Sequence, residues 1–185
     1  MRLVVGLGNP GKRYEGTRHN VGYAVLAELG RRFGTGTAKA RFHGEVLEAN
    51  LDGVRALLLS PTTYMNRSGE SVQAACAFYK IPEDAIMVIC DDLNLPVGKL
   101  RVRRGGSSGG QKGLDDIIRR LGTEEFPRLR IGIGATPESW AAADYVLGKI
   151  SQEERGPMEQ AVRHGADAVV LWANAGIQVC MNRYN

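Results

Sequence analysis

Residues 3 to 22, LVVGLGNPGKRYEGTRHNVG, join an apolar strand signal (Leu3, Val4, Val5) to the start of an amphipathic helix through a turn rich in glycine and proline. A strand handing over to a helix in this way is the opening unit of an α/β domain. The connection also carries Asn9, Tyr14, Thr17, Arg18, His19 and Asn20. One histidine beside several amide side chains at a strand end has the make-up of an active-site edge.

Beyond that stretch, Val21, Val25, Leu26, Leu29 and Phe33 recur at helical spacing as far as Gly34 and Gly36. Val46 to Leu51 and Val54 to Leu59 read as two strands joined by Asp52-Gly53, a strong hairpin signal. Pro61 to Ser68 is a polar loop, with Ser68 the expected N-cap of a helix from Gly69 to Tyr79. Ile86 to Cys90 is apolar throughout, as a fully buried strand is, and it ends abruptly in Asp91-Asp92. Open α/β sheets gather their sites beyond the carboxyl ends of central strands, which makes these two acids candidates. Lys99 to Arg103 alternates basic and apolar, as an edge strand does, and leads into the glycine-rich loop Gly105 to Gly113. Leu114 to Leu121 is helical and Leu129 to Ile133 is a further strand. Ser151 and Glu154 form a capping box that opens a terminal helix running to Asn174. One hairpin within a β and α alternation predicts a single three-layer α/β domain over residues 1 to 185, a central mixed, mostly parallel, twisted sheet flanked by helices.

At 185 residues the chain can bury one substantial core, and no linker divides it. Met1-Arg2 runs straight into the first strand and no apolar run reaches the roughly 18 to 20 residues that span a bilayer, so a cytoplasmic protein without a membrane partner is expected. Cys76, Cys90 and Cys180 are widely spaced, suggesting buried inert thiols and neither disulfides nor a metal site. The net charge of +4 is unevenly placed. Nine basic residues and four acids lie between Lys99 and Arg130, giving that window +5 and the remainder −1. Such concentration suits a phosphate-bearing partner, although an edge strand also carries charge to stay unpaired.

Three glycine patterns are weaker than they look. Gly6-Leu7-Gly8-Asn9-Pro10-Gly11 fits a dinucleotide fingerprint, yet helical periodicity does not begin at its third glycine and no strand ends in an acid about 20 residues on. Gly106-Ser107-Ser108-Gly109-Gly110 fits a nucleophile elbow, but the strand before it is basic rather than buried. Gln111-Lys112-Gly113 lacks the Gly-Lys-Ser/Thr of a P-loop.

The chemistry is better carried by Asn9, His19, Asn66 and Asp91, each at a loop or strand edge. If these edges converge, a carboxylate can fix the tautomer of the imidazole, whose other nitrogen then takes a proton from water. The two amides can donate hydrogen bonds to a carbonyl or its developing oxyanion. With no serine or cysteine nucleophile in the set, one histidine acting on water suits an ester better than an amide.

GLGNPGKRYEGTRHNVG (6 to 22), PTTYMNRSGESV (61 to 72), DDLNLPVG (91 to 98) and FPRLRIGIG (126 to 134) together resemble the bacterial-type peptidyl-tRNA hydrolase family, in the right order and over essentially the whole chain. The resemblance implies a monomeric α/β fold, cleavage of the ester between a peptide and the terminal ribose of tRNA, and no metal or cofactor. By the same resemblance His19 is the catalytic base, Asp91 its supporting carboxylate, Asn9 the residue that tells blocked from free aminoacyl groups, and Asn66 a substrate-binding amide. Tyr14 and Tyr64 fall on tRNA or peptide contacts, and Arg103 and Arg130 on a clamp for the tRNA phosphate end. Where many members read Gly-Gly-His-Asn-Gly this chain reads Gly109-Gly110-Gln111-Lys112-Gly113, so a titratable histidine is replaced by an amide and a tRNA-contacting asparagine by Lys112. Relatives in chloroplasts serve RNA splicing with a partner protein, which sets a non-catalytic RNA binder as the alternative. The intact Asn9, His19, Asn66 and Asp91 favour the enzyme.

Overall fold

The structure, a computed structural model, describes residues 1–185. Its strands are β1 (Arg2–Gly6), β2 (Lys39–Arg41), β3 (Gly44–Leu51), β4 (Val54–Pro61), β5 (Ile86–Asp92), β6 (Leu100–Arg103) and β7 (Arg128–Gly132), in the sheet order β2-β3-β4-β1-β5-β7-β6. The helices are α1 (Val21–Phe33), α2 (Ser68–Tyr79), α3 (Lys112–Leu121), α4 (Ala142–Val146), α5 (Gln152–Ala175) and α6 (Ile177–Tyr184). The four central strands β4, β1, β5 and β7 run parallel. Antiparallel neighbours flank them, β3 and β2 on one side and β6 on the other.

The first strand owes its apolar run to its place. Leu3, Val4 and Val5 are fully buried between β4 and β5, with helices on both faces, so neither face can be polar. Successive side chains go to opposite layers. Val4, Leu58, Met87 and Ile89 pack with Val25 and Leu29 of α1 and Val169 and Trp172 of α5. Leu3, Val5, Leu57 and Val88 pack with Val72 of α2 and Leu114 and Ile117 of α3. That period of two, read into two separate cores, produces the three layers.

Close backbone approach fixes where α1 begins. A Cβ on Gly22 would lie 2.4 Å from the Leu7 nitrogen and 2.6 Å from the Ile89 oxygen, and one on Gly6 would lie 2.4 Å from the Gly22 oxygen. The first turn of α1 therefore rests directly on the ends of β1 and β5, and the residues just before it are delivered to the carboxyl edge of the sheet.

Several local expectations change. Ser68 is the first residue of α2 rather than its cap: its hydroxyl donates to the Met65 carbonyl, and the Gly69 N–H is met by the Asp116 carboxylate from α3 at 2.8 Å. Asp91 and Asp92 lie inside β5 in register with Ile131 and Gly132, because pairing with β7 continues past the apolar run. The hairpin turn has Asp52 at φ 51° and Gly53 at φ 97°, the doubly positive conformation that its sequence favours. β2 and α4 are too short to show an apolar period, whereas α6 carries Ile177, Cys180, Met181 and Tyr184 at helical spacing beyond the end expected for the terminal helix. The capping box at Ser151 is present, each partner accepting from the other's backbone N–H at 3.3 and 2.9 Å. No helix is long and apolar enough to cross a membrane.

Candidate active site

A cavity of about 560 Å³ opens at the carboxyl ends of β1 and β5. It is lined by Asn9, Tyr14, His19, Tyr64, Asn66, Asp91, Lys112 and Arg130, eight of the nine residues expected from the sequence. Arg103 is not among them; it stands exposed on the edge strand β6.

His19 sits in a single 3₁₀ turn, Arg18–Asn20, immediately before α1. Its Nδ1 lies 2.9 Å from Asp91 Oδ2, and the carboxylate is only 3% exposed. A buried carboxylate accepts and cannot donate when ionised, so the Nδ1 proton points at Asp91 and the lone pair of the neutral ring is on Nε2. Nε2 makes no hydrogen bond within the protein and His19 lines the cavity. The turn is anchored from behind by Arg18, whose guanidinium reaches Glu154 of α5 at 2.7 Å and stacks 4.3 Å from the Tyr145 ring.

Asn9 is held at three points. Its backbone N–H and C=O exchange 2.9 Å hydrogen bonds with the side chain of Asn20, and its Oδ1 accepts from the Met65 N–H at 2.8 Å. Because that N–H can only donate, the amide orientation is settled and Nδ2 is left to donate elsewhere. The sequence offered Asn20 as one amide among several; its part in bracing Asn9 follows from spatial pairing alone.

Asn66 is exposed on the opposite rim, and its side chain makes no hydrogen bond within the protein. Tyr64, before it, takes φ 62° and ψ 158°, a conformation almost reserved for glycine, and its ring meets the edge of Tyr14 at 6.3 Å. The two tyrosines bridge the rims of the cleft. The far wall is apolar, with Ala142, Ala143, Val146 and Leu147 supplied by α4 and the residue after it, and Leu93 beside them. No serine, threonine or cysteine lines the cavity. Cys90, one residue before Asp91, is fully buried, and burial pushes its thiol up to about 12.

The basic window divides once its partners are seen. Arg119 and Arg120 pair with Asp116, and Arg120 also with Glu70. Arg128, 1% exposed, donates to the carbonyls of Gly106, Ser107, Glu124 and Phe126, and burial lowers its pKa. Arg130 donates to the Ser107 and Ser108 carbonyls at 2.9 and 3.0 Å and lies 3.7 Å from Asp92. These two arginines hold the glycine-rich loop by its carbonyls. Lys99, Arg101, Arg103, Arg104 and Lys112 remain exposed without an acidic partner.

The dinucleotide pattern fails on geometry as well as sequence: Gly11, at φ 100°, precedes a short 3₁₀ turn at Lys12–Tyr14 rather than the first turn of an α-helix. No group of three His, Cys, Asp or Glu residues is placed to hold a metal ion.

A doubly covered mixed sheet, with an imidazole braced by a buried carboxylate and two amides across an open cleft, can activate water against an acyl carbon. It is the equipment of a hydrolytic α/β enzyme. The profile of the family described as Peptidyl-tRNA hydrolase matches residues 3–185, and the chain belongs to that family. Among its relatives, the peptidyl-tRNA hydrolase of Rhodopirellula baltica is 51% identical over 100% of this chain and 97% of its own. That of Caldanaerobacter subterraneus is 45% identical over the whole of both chains. The crystal structure of peptidyl-tRNA hydrolase from Acinetobacter baumannii superposes with a TM-score of 0.94 at 39% identity, covering 100% of this chain and 94% of that one.

Proposed function

We propose that this chain hydrolyses the ester joining a peptide, or an N-blocked aminoacyl group, to the terminal ribose of tRNA, returning the tRNA to translation, with His19 as general base toward water. The observation that carries the reading is the 2.9 Å contact between His19 Nδ1 and the buried Asp91, which leaves Nε2 free at the cavity. Nε2 takes a proton from water as the oxygen attacks the acyl carbon. Asp91 steadies the imidazolium that forms, without itself taking the proton. The tetrahedral oxyanion is met by the amide of Asn9, aimed by Met65, and by Asn66 from the other rim. Collapse breaks the acyl–oxygen bond, and the imidazolium returns its proton to the departing ribose hydroxyl. General-base help of about 10² to 10⁴-fold is enough for an alcohol leaving group and falls short for an amine.

The RNA end of the substrate is assigned to the side of the cavity bounded by Lys112 and Arg130, from which the unpaired cations Arg101, Arg103 and Arg104 continue along β6. Tyr14 and Tyr64 then face the acyl side. All groups in the scheme come from one chain, which supports a monomer acting as one domain, and the scheme calls on neither metal nor cofactor. A cytoplasmic location follows from the substrate. The alternative of a non-catalytic RNA binder leaves the buried His19–Asp91 pair without a task.

The test is release of an N-blocked amino acid from charged tRNA. His19→Ala is expected to lower kcat by about 10²-fold or more with the affinity for tRNA largely kept. A variant that keeps most of the wild-type rate removes His19 from the role of base.

A further inference from the structure

We propose that Gln111 is a positioning residue for this reaction: from the side opposite His19 it locks the Asp91 carboxylate, and so fixes the direction of the imidazole. The inference rests on His19 being the base.

Asp91 has two oxygens and each has its own partner. Oδ2 meets His19 Nδ1 at 2.9 Å, and Oδ1 accepts from Gln111 Nε2 at 3.1 Å. With a single partner, a carboxylate swings easily about its last torsion, which is broad and two-fold. A second partner on the other oxygen removes that freedom. The donor is itself fixed, because Gln111 Oε1 accepts from the Leu114 N–H at 2.8 Å as the N-cap of α3. Since Leu114 can only donate there, the NH₂ group must be the end that faces Asp91. The Met65 sulfur lies 3.3 Å from the same nitrogen, Gln111 is 8% exposed, and a Cβ on Gly113 would stand 2.6 Å from that sulfur. Both ends of the amide are engaged, and turning it over would break the two hydrogen bonds at once.

The relay therefore runs from the first turn of α3 through one neutral amide to the carboxylate and on to the base. A side chain that neither ionises nor changes tautomer offers Asp91 the same donor whatever the pH. Gln111 does not touch the reacting atoms, and its effect reaches them only through Asp91.

Two substitutions separate this role from simple capping. Gln111→Glu keeps the size and the oxygen that accepts from Leu114, yet turns an oxygen instead of a donor toward Asp91. Gln111→Met loses both hydrogen bonds without adding charge. In each, kcat on N-blocked aminoacyl-tRNA is expected to fall about tenfold or more, as loss of a hydrogen bond to a charged group does, with KM within about twofold. The downfield proton resonance of His19 Nδ1 should shift in both, and the thermal midpoint of Gln111→Glu should fall, because a second buried carboxyl then faces Asp91. A purely capping residue predicts the reverse, a stable and fully active Gln111→Glu. If Gln111→Glu fails to fold, Gln111→Met carries the test below its own melting temperature. Wild-type kcat with an unmoved His19 resonance overturns the proposal. His19→Ala and Asp91→Ala run alongside: inactive controls with active Gln111 variants sink only this inference, whereas active controls sink the assignment of the base.

Discussion

Asn9 shows how much a single amide can be asked to do and how little of it is visible in the residue's name. Its backbone is clasped by Asn20 and its Oδ1 by Met65, so one N–H pair is all that is left for a ligand. Asn9→Asp is nearly isosteric and can still accept from Met65, but it replaces the remaining donor with a negative oxygen. The expected outcome is a fall in kcat/KM of about 10²-fold, the scale of losing an oxyanion donor, with the melting temperature little changed. Kinetics on an N-blocked aminoacyl-tRNA, set beside a thermal melt, check both halves. His19, Asp91, Asn9 and Asn66 could be picked out beforehand because polar residues at the ends of apolar segments have few bland explanations when four coincide. Gln111 and Asn20 could not be given their parts, since what matters about each is which atom of a distant residue it faces. Arg128 misled for the same reason: it reads as a surface cation and serves as a buried donor to four carbonyls.

Among the elements, α1 has the least tolerance. Its start presses on the backbone of β1 and β5, and any side chain at Gly22 collides with main-chain atoms that have nowhere to go. Gly22→Ala is expected to destabilise the fold by about 1–3 kcal/mol, with loss of activity as the 3₁₀ turn bearing His19 is pushed from Asp91. Chemical denaturation measures the first effect, and an unchanged midpoint would contradict the close packing. The start of α5 responds to pH. Burial works to raise the Glu154 carboxyl, but the Ser151 N–H, the Ser151 hydroxyl and Arg18 together bring it below its usual 4.5. A depressed carboxyl pKa gives stability that is complete above the unfolded value and drains away as pH falls through the folded one. Glu154→Gln should therefore flatten the drop in melting temperature between about pH 6 and about pH 3, and superimposable curves would rule this contribution out. α1 and the capping box were legible because periodicity and caps are local signals. β2, with every residue exposed, exists only through its neighbours, while α6 had a local signal in Ile177, Cys180, Met181 and Tyr184 that the break at Gly176, φ 87°, separates from α5.

Charge acts over the whole molecule. Nine cations between residues 99 and 130 suited a phosphate-bearing partner, and the family resemblance implied a clamp at Arg103 and Arg130, yet the fold spends Arg119, Arg120 and Arg128 on its own groups and engages Arg130 with the glycine-rich loop. Arg103 and Lys112 are free to meet phosphates. Arg103→Ala is expected to reduce the slope of log K against log salt for tRNA by about 1, with kcat at saturation retained. Arg130→Ala should act differently, by loosening Ser107 and Ser108 beside the cavity. An Arg103 variant with the wild-type slope would move the RNA path off β6.

β1 is the first strand along the chain and the middle one of the sheet, and both its neighbours come later, at residues 54 and 86. While a nascent polypeptide is still emerging, the segment bearing Asn9 and His19 has nothing to lie against, and Asp91 has yet to be made. Long-range pairing of this kind is slow to form and arrives together or not at all. On the proposed mechanism, a fragment released before about ninety residues have been translated lacks Asp91 and the β5 edge that β1 pairs with, and no activity is expected of it.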